Sequence, residues 1–340
     1  MSVHRLSNPI QTYDWGSSTA IPDLLGIPNP AGEPQAELWM GAHPSAPSRV
    51  DDQPLDALIA EDPQRTLGRD GQLPFLFKVL AASRPLSIQA HPSLKQAVAG
   101  FARENAAGIP IDAPHRNYRD ANHKPEILCA LTPFEALCGF RSPAEIVAAF
   151  SELAIPELAA ALQRFRANPG DFCRFLESVL QLSGDTGHLC VHMLNRLHLQ
   201  PGQAIYLPAR TLHAYVKGTG IELMANSNNV LRGGRTRKHV DIPELLRVLD
   251  FTPSAPTVLC GVRNGLETQY PCPASEFALS RIDLADDHYV APDLHGPEIL
   301  LCTSGDLGLI SRGESVFIEA CAGPYELSGT GTAFRASLPK

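Results

Sequence analysis

Leu86-Ser87-Ile88-Gln89-Ala90-His91-Pro92 alternates apolar with polar side chains, and that period of two reads as a β-strand. Leu86, Ile88 and Ala90 enter a core from one face, while Ser87, Gln89 and His91 form a polar row on the other. Residues two apart on a strand stand about 7 Å from each other, so Gln89 and His91 can converge on one small ion. Pro92 ends the strand, and Ser93-Leu94-Lys95-Gln96-Ala97 reads as the start of a helix with the proline near its first turn. An inward polar row needs partners from elsewhere in the chain.

The neighbouring segments supply candidates. Pro74–Ala81 is an apolar strand broken by one lysine, Lys78. A buried ammonium must find an anion or shift its pKa, whereas most lysines snorkel to the surface. The 86–92 strand lies one tight turn away, which favours a role for Lys78 in the same site. Asn122-His123-Lys124-Pro125-Glu126-Ile127-Leu128-Cys129-Ala130-Leu131 repeats the pattern. Pro125 extends Lys124, which shares a face with Glu126, while Ile127, Cys129 and Leu131 take the other face. Further on, short strands around 195–199, 204–208, 211–216 and 220–226 are separated by turn residues such as Pro201-Gly202, the spacing of a sandwich or jelly roll. His213 faces opposite to Leu212 and Ala214; a lone histidine there is more often structural than a ligand.

Asn228–His239 is the most basic segment of an acidic chain, with Arg232, Arg235, Arg237 and Lys238 around Gly233-Gly234. Such a segment suits an oxyanion, or equally a solvated turn. Both tryptophans, Trp15 and Trp39, stand near carboxylates. Core packing with a polar handle is the plain reading of Trp39, while Trp15, between Asp14 and Gly16, can also wall a polar ligand.

Composition narrows the classes. A chain of 340 residues has room for two or three cores. Its net charge of −8 argues against a nucleic-acid or anionic-membrane partner. No apolar run reaches the roughly 18 residues of a membrane helix, and Met1–Arg5 lacks the apolar core of a signal peptide, so a cytoplasmic protein is expected. The eight cysteines are scattered without a Cys-x-x-Cys, as reduced thiols, so a metal site here uses nitrogen and oxygen ligands. Thirty prolines and 26 glycines favour short strands over a helical bundle. The exception is about 142–182, where Ser142-Pro143-Ala144-Glu145 forms a capping box and Ile146, Phe150, Leu158, Phe165, Phe172, Phe175 and Val179 follow helical spacing. A short helix over 243–249 and a strand-rich end from about 256 complete the chain.

Gln89-Ala90-His91-Pro92, Asn122-His123-Lys124-Pro125-Glu126, the Leu207–Tyr215 segment and Asn229-Val230-Leu231-Arg232-Gly233-Gly234 resemble, in that order, the type I zinc-dependent mannose-6-phosphate isomerases. Tyr13-Asp14-Trp15-Gly16, Ala36–Gly41 and Pro74–Leu80 extend the likeness from about residue 8 to 250. The resemblance implies a mainly β architecture of two cupin jelly rolls with an inserted α-helical domain. The expected division is a catalytic cupin over 1–141 and 195–255, a helical insertion over 142–194 and a C-terminal cupin-like β domain over 256–340. It also implies one zinc ion bound by Gln89, His91, Glu126 and His213, and reversible interconversion of mannose 6-phosphate and fructose 6-phosphate through an enediol, by a monomer. Arg232, Lys124, His123 and Glu222 are then the catalytic candidates, and Trp15, Lys78, Ser87 and Lys238 the substrate contacts.

One departure stands out. Many members carry aspartate where this chain has Asn228, and an amide cannot act as a general base. His123, Glu222 or a zinc-bound hydroxide remain as bases. Competing readings are an isomerase of another sugar, a bifunctional enzyme with guanylyl transfer, a sugar-phosphate-binding cupin without catalysis, and a cupin dioxygenase. The absence of a Gly-rich phosphate loop in the sequence counts against the bifunctional form.

Overall fold

The computed structural model describes residues 2–69, 71–291 and 296–339. Its plan follows from the strand Phe75–Ala82, every residue of which is buried. Phe75, Phe77, Val79 and Ala81 enter a core shared with Phe277, Ile299, Leu301, Phe317 and Phe334 from the last quarter of the chain. Leu76, Lys78 and Leu80 face the opposite way, into a cleft. A strand without a solvent face has to be apolar along its whole length, and Lys78 is the exception because its side faces the cleft.

Around this strand runs an antiparallel sheet in the order Val258–Leu259, Ala204–Leu207, Glu126–Ala130, His213–Ala225, Phe75–Ala82, Glu37–Met40 and Ile10–Gln11. The spacing predicts two strands, 211–216 and 220–226; one strand, His213–Ala225, covers both. Its first residues pair with Gln89 and with Phe134–Phe140, and its last with Phe75–Ala82 and Glu126–Ala130. It therefore ties together the two layers of a jelly roll. The register shifts between Tyr215 and Lys217. Such a bulge changes the phase of alternation, so that odd-numbered Tyr215 and even-numbered Glu222 and Met224 all line the same cleft. Gly218 follows the bulge at φ +128°, where a Cβ would stand 2.7 Å from the Phe134 ring.

The expected helices are present as Pro143–Leu153, Ala159–Ala167 and Phe172–Ser183. Ser142 and Glu145 close the capping box, and Phe150, Phe165, Phe172 and Phe175 pack ring on ring. This helical core also receives Ile88 and Ala90. Ile88 and Ala90 are thus buried against the helices, whereas Leu86 joins a separate cluster with Leu80, Phe134 and Tyr215, and Ser87 and Gln89 face the cleft. The helix after it, Leu94–Ala106, is capped by Ser93 and Gln96, with Pro92 just outside the cap.

The last part of the chain forms a second antiparallel sheet, including Ala278–Val290, Glu298–Asp306, Ser315–Ile318 and Glu326–Ser337. Val3–Arg5 pairs with Ser315–Ile318 at its edge, so the chain start joins the C-terminal sheet although the sequence groups it with residues 1–141. Among the described residues no helix is long and apolar enough to cross a membrane.

Candidate active site

Four strands deliver the site. Gln89 comes from Ile88–Ala90, Glu126 begins Glu126–Ala130, His213 begins His213–Ala225, and Lys78 sits mid-strand in Phe75–Ala82. His213 lies directly across from Gln89 in the strand pairing. His91 follows one residue beyond its strand and is 2% exposed.

At the floor, His91 Nε2 stands 3.4 Å from Glu126 Oε1 and His213 Nε2 stands 3.5 Å from Glu126 Oε2. One donor atom from each of the three residues lies within 4.8 Å of the others. Two donors of one tetrahedral ion at zinc-like bond lengths are about 3.3–3.5 Å apart, which matches both separations. The ring tautomers agree: His91 Nδ1 donates to the Asn229 carbonyl at 2.7 Å and His213 Nδ1 to the Thr211 carbonyl at 2.9 Å. Each Nε2 is then left with its lone pair, the arrangement of metal-binding histidines. Both Nε2 atoms and Glu126 Oε2 are buried without a hydrogen-bond partner. Leaving three such atoms unpaired would be costly, and a divalent cation satisfies all of them. Burial lowers the His91 pKa to about 4 and keeps the ring neutral, with Glu126 opposing the shift and Lys124 adding to it. Burial pushes Glu126 up, but the Lys124 ammonium and the two imidazoles hold it well below the usual carboxylate range. The residues therefore fit a metal ion with nitrogen and oxygen ligands.

Above the floor opens a cleft of about 1220 Å³, lined among others by Trp15, Lys78, Ser87, Gln89, Lys124, Glu222, Arg232 and Lys238. Lys124 Nζ is 2.7 Å from Glu126 Oε1. Lys78 Nζ is 3.0 Å from Glu222 Oε2 and 3.7 Å from Glu37 Oε1. Burial opposes the Lys78 charge, yet Glu222, Glu37 and Glu126 more than compensate and raise its pKa. Burial raises the Glu222 pKa, with Lys78 pulling the other way. On the far side, burial and Arg119 lower the pKa of Arg232, and burial with Arg232 and Arg119 lowers that of Lys238. Cations that repel one another at a cleft wall form a seat for a polyanion.

Three placements differ from expectation. His123 is not among the residues lining the cleft: its Nε2 meets Glu276 Oε1 at 2.5 Å, because Pro125 extends the segment and sends His123 and Lys124 to opposite sides. Trp39, read as core, lines the cleft, where its indole donates to Glu37 Oε2 at 2.7 Å and its ring lies 5.3 Å from Lys78 Nζ. His43, which no sequence pattern marks, is 2% exposed at the cleft, and burial with Lys78 and Lys124 lowers its pKa to about 4. Alternation in Glu37-Leu38-Trp39-Met40 was the available signal for Glu37 and Trp39; His43 had none.

Comparison with known proteins agrees with this geometry. Residues 3–143 match the family model of the phosphomannose isomerase type I catalytic domain. Mannose-6-phosphate isomerase of Salmonella typhimurium is 38% identical over 387 aligned positions, covering 98% of this chain and 99% of the relative. The enzyme of that name from Homo sapiens is 35% identical over 74% of each chain. A zinc-bound crystal structure of mannose 6-phosphate isomerase superposes over 100% of both chains with a TM-score of 0.89 at 37% identity. The apo form from Salmonella typhimurium gives the same TM-score of 0.89. Matched over 98% of its length by the Salmonella typhimurium enzyme, and with its buried imidazoles and carboxylate set for an ion, the chain belongs to the type I phosphomannose isomerases.

Proposed function

We propose that this chain interconverts mannose 6-phosphate and fructose 6-phosphate, using one zinc ion held by Gln89, His91, Glu126 and His213. The observation that carries the reading is the set of three buried, unpartnered donor atoms of His91, Glu126 and His213 beneath a cleft walled by cations. When bound, zinc supplies a Lewis acid that stabilises negative charge developing on the sugar oxygens.

The remaining work falls to the side chains. Arg232 and Lys238, with Ser87, hold the phosphate, and Trp15 closes the wall of the cleft. Aldose-to-ketose conversion removes a proton from C2 and returns one to C1. Glu222 is the group assigned to that transfer, since burial raises its pKa toward the working range of a general base and it faces the cleft. Lys124 and Lys78 remain as cationic donors beside the oxygens on which charge builds up. His123, paired with Glu276, is left a structural role. Asn228, whose backbone N–H donates to Asp120 Oδ2 at 2.7 Å, contributes an amide and no base.

The division into a catalytic cupin, a helical insertion and a C-terminal β domain is proposed on the same footing, with Val3–Arg5 crossing to the last. All eight cysteines are unpaired, which supports a reducing, cytoplasmic setting. Action as a monomer is part of the same proposal. The test is isomerase activity of the wild type beside His213→Ala, with zinc content measured on both. We expect turnover in the wild type, and loss of zinc and of at least about 10³-fold in activity in the variant. A folded, zinc-loaded wild type without turnover of mannose 6-phosphate would refute the reading.

A further inference from the structure

Two loops meet behind the metal centre. Residues 119–122 lead into Lys124 and Glu126, and residues 227–229 lead into Arg232. Asn229 joins them and is 0% exposed. Its Nδ2 donates to the carbonyls of Asp120 and Asn122, each at 2.8 Å, and lies 3.1 Å from Asp120 Oδ1. Its Oδ1 accepts the backbone N–H of Arg119 at 2.8 Å and of Asp120 at 3.3 Å. Asp120 returns the tie, accepting from Ser227 Oγ at 2.8 Å and from the Asn228 N–H at 2.7 Å. The backbone carbonyl of the same Asn229 accepts His91 Nδ1–H at 2.7 Å.

A single residue therefore aims the His91 imidazole with its main chain and clamps the Arg119–Asn122 loop with its side chain. The carbonyl stays in place only while the amide anchors the turn that carries it. Freed from that anchor, the carbonyl swings, the His91 ring gains other orientations and the metal site loses preorganisation. The same loss releases the backbone of Arg119, which lines the cleft beside Arg232 and Lys238.

We propose that Asn229 is a positioning residue that sets metal retention and the placing of Arg119 at the substrate cleft together. Zinc-free wild type, Asn229→Ala and Asn229→Asp are titrated with zinc against a chromogenic chelator, and the thermal midpoint of each zinc-free protein is measured alongside. The expected result is a zinc dissociation constant raised about tenfold or more in both variants. Asn229→Asp keeps the acceptor for the Arg119 N–H but turns an oxygen toward the Asp120 and Asn122 carbonyls, so it binds zinc no better than Asn229→Ala. A residue that only fills space predicts the reverse, with the isosteric Asp equal to wild type. If Asn229→Ala does not fold, Ser227→Ala removes the hydroxyl that bridges Asp120 Oδ1 and the Asn229 N–H and shifts zinc affinity in the same direction. A folded Asn229→Asp variant whose zinc dissociation constant stays within twofold of wild type overturns the proposal. In zinc-saturated enzyme, KM for mannose 6-phosphate rises by a larger factor than kcat falls. That arm rests on the isomerase reading, whereas the zinc titration needs no substrate and fails or succeeds without it.

Discussion

Replacing Lys78 by methionine tests whether the buried charges of the cleft are balanced as the structure indicates. Lys78 is 4% exposed and faces Glu222 at 3.0 Å and Glu37 at 3.7 Å. With an effective dielectric constant of about 20, these contacts are worth about 5.5 and about 4.5 kcal/mol in gross Coulomb energy. The cost of burying the charges offsets much of that, and removing one partner of a buried pair typically leaves a net loss of about 3–5 kcal/mol. Methionine matches the lysine stem, so little of the loss comes from a cavity. What remains is three carboxylates, those of Glu37, Glu126 and Glu222, with Lys124 beside Glu126 and Lys238 acting on Glu37 across the cleft.

The loss depends on pH with a definite sign. In the wild type the raised Lys78 pKa keeps its contribution whole below about pH 10.4, and the contribution is lost only as pH rises through the higher folded value. In the variant the Glu222 carboxyl, already raised by burial, loses its nearest cation and rises further. The folded variant then keeps a proton that the unfolded chain releases above about pH 4.3, so its stability falls as pH climbs from there. Urea unfolding of both zinc-free proteins, followed by circular dichroism at about pH 5 and about pH 8, reads the effect. The expected deficit is larger at the higher pH. A deficit under about 1 kcal/mol at neutral pH, or one of equal size at both pH values, would show that Lys78 is not the counter-ion described above.

Other outcomes follow from the same geometry. Glu222→Gln should retain zinc and lower kcat by about 10²–10⁴-fold with a small change in KM; an unchanged kcat would move proton transfer to another group. Arg232→Met should raise KM for the sugar phosphate far more than it lowers kcat, and competition by inorganic phosphate should weaken in parallel; equal phosphate inhibition in both proteins would remove Arg232 from the phosphate seat. His123→Ala cuts the tie to Glu276 and should lower the thermal midpoint while changing kcat less than about threefold, whereas a hundredfold fall would return the imidazole to the proton path.

Much of this is legible in the sequence alone, because strand periodicity carries direction. The polar row Ser87, Gln89, His91 and the pairing of Lys124 with Glu126 were readable as faces, and both faces exist. Lys78 was anomalous in an apolar run, and the anomaly marked the cleft side of a strand buried on both sides. The capping box at Ser142 and the aromatic spacing after it located the helices, since those are local signals. Less was legible where a feature depends on phase or on distant partners. No residue pattern announces that His213–Ala225 is one strand with a bulge, and only that bulge brings Tyr215 and Glu222 to one cleft. His123 looked like its neighbour Lys124 until Glu276, 153 positions away, took its imidazole.

By itself the sequence determined the kind of chemistry: donors of nitrogen and oxygen, cations for an anion, and motifs in the order of one family. Tertiary structure decided which of these groups meet. His91, Glu126 and His213 converge because one strand belongs to both layers of the jelly roll, and their tautomers are set by the carbonyls of Asn229 and Thr211. Side-chain type is written residue by residue, whereas convergence, burial and the charges each group faces arise only when distant strands pair.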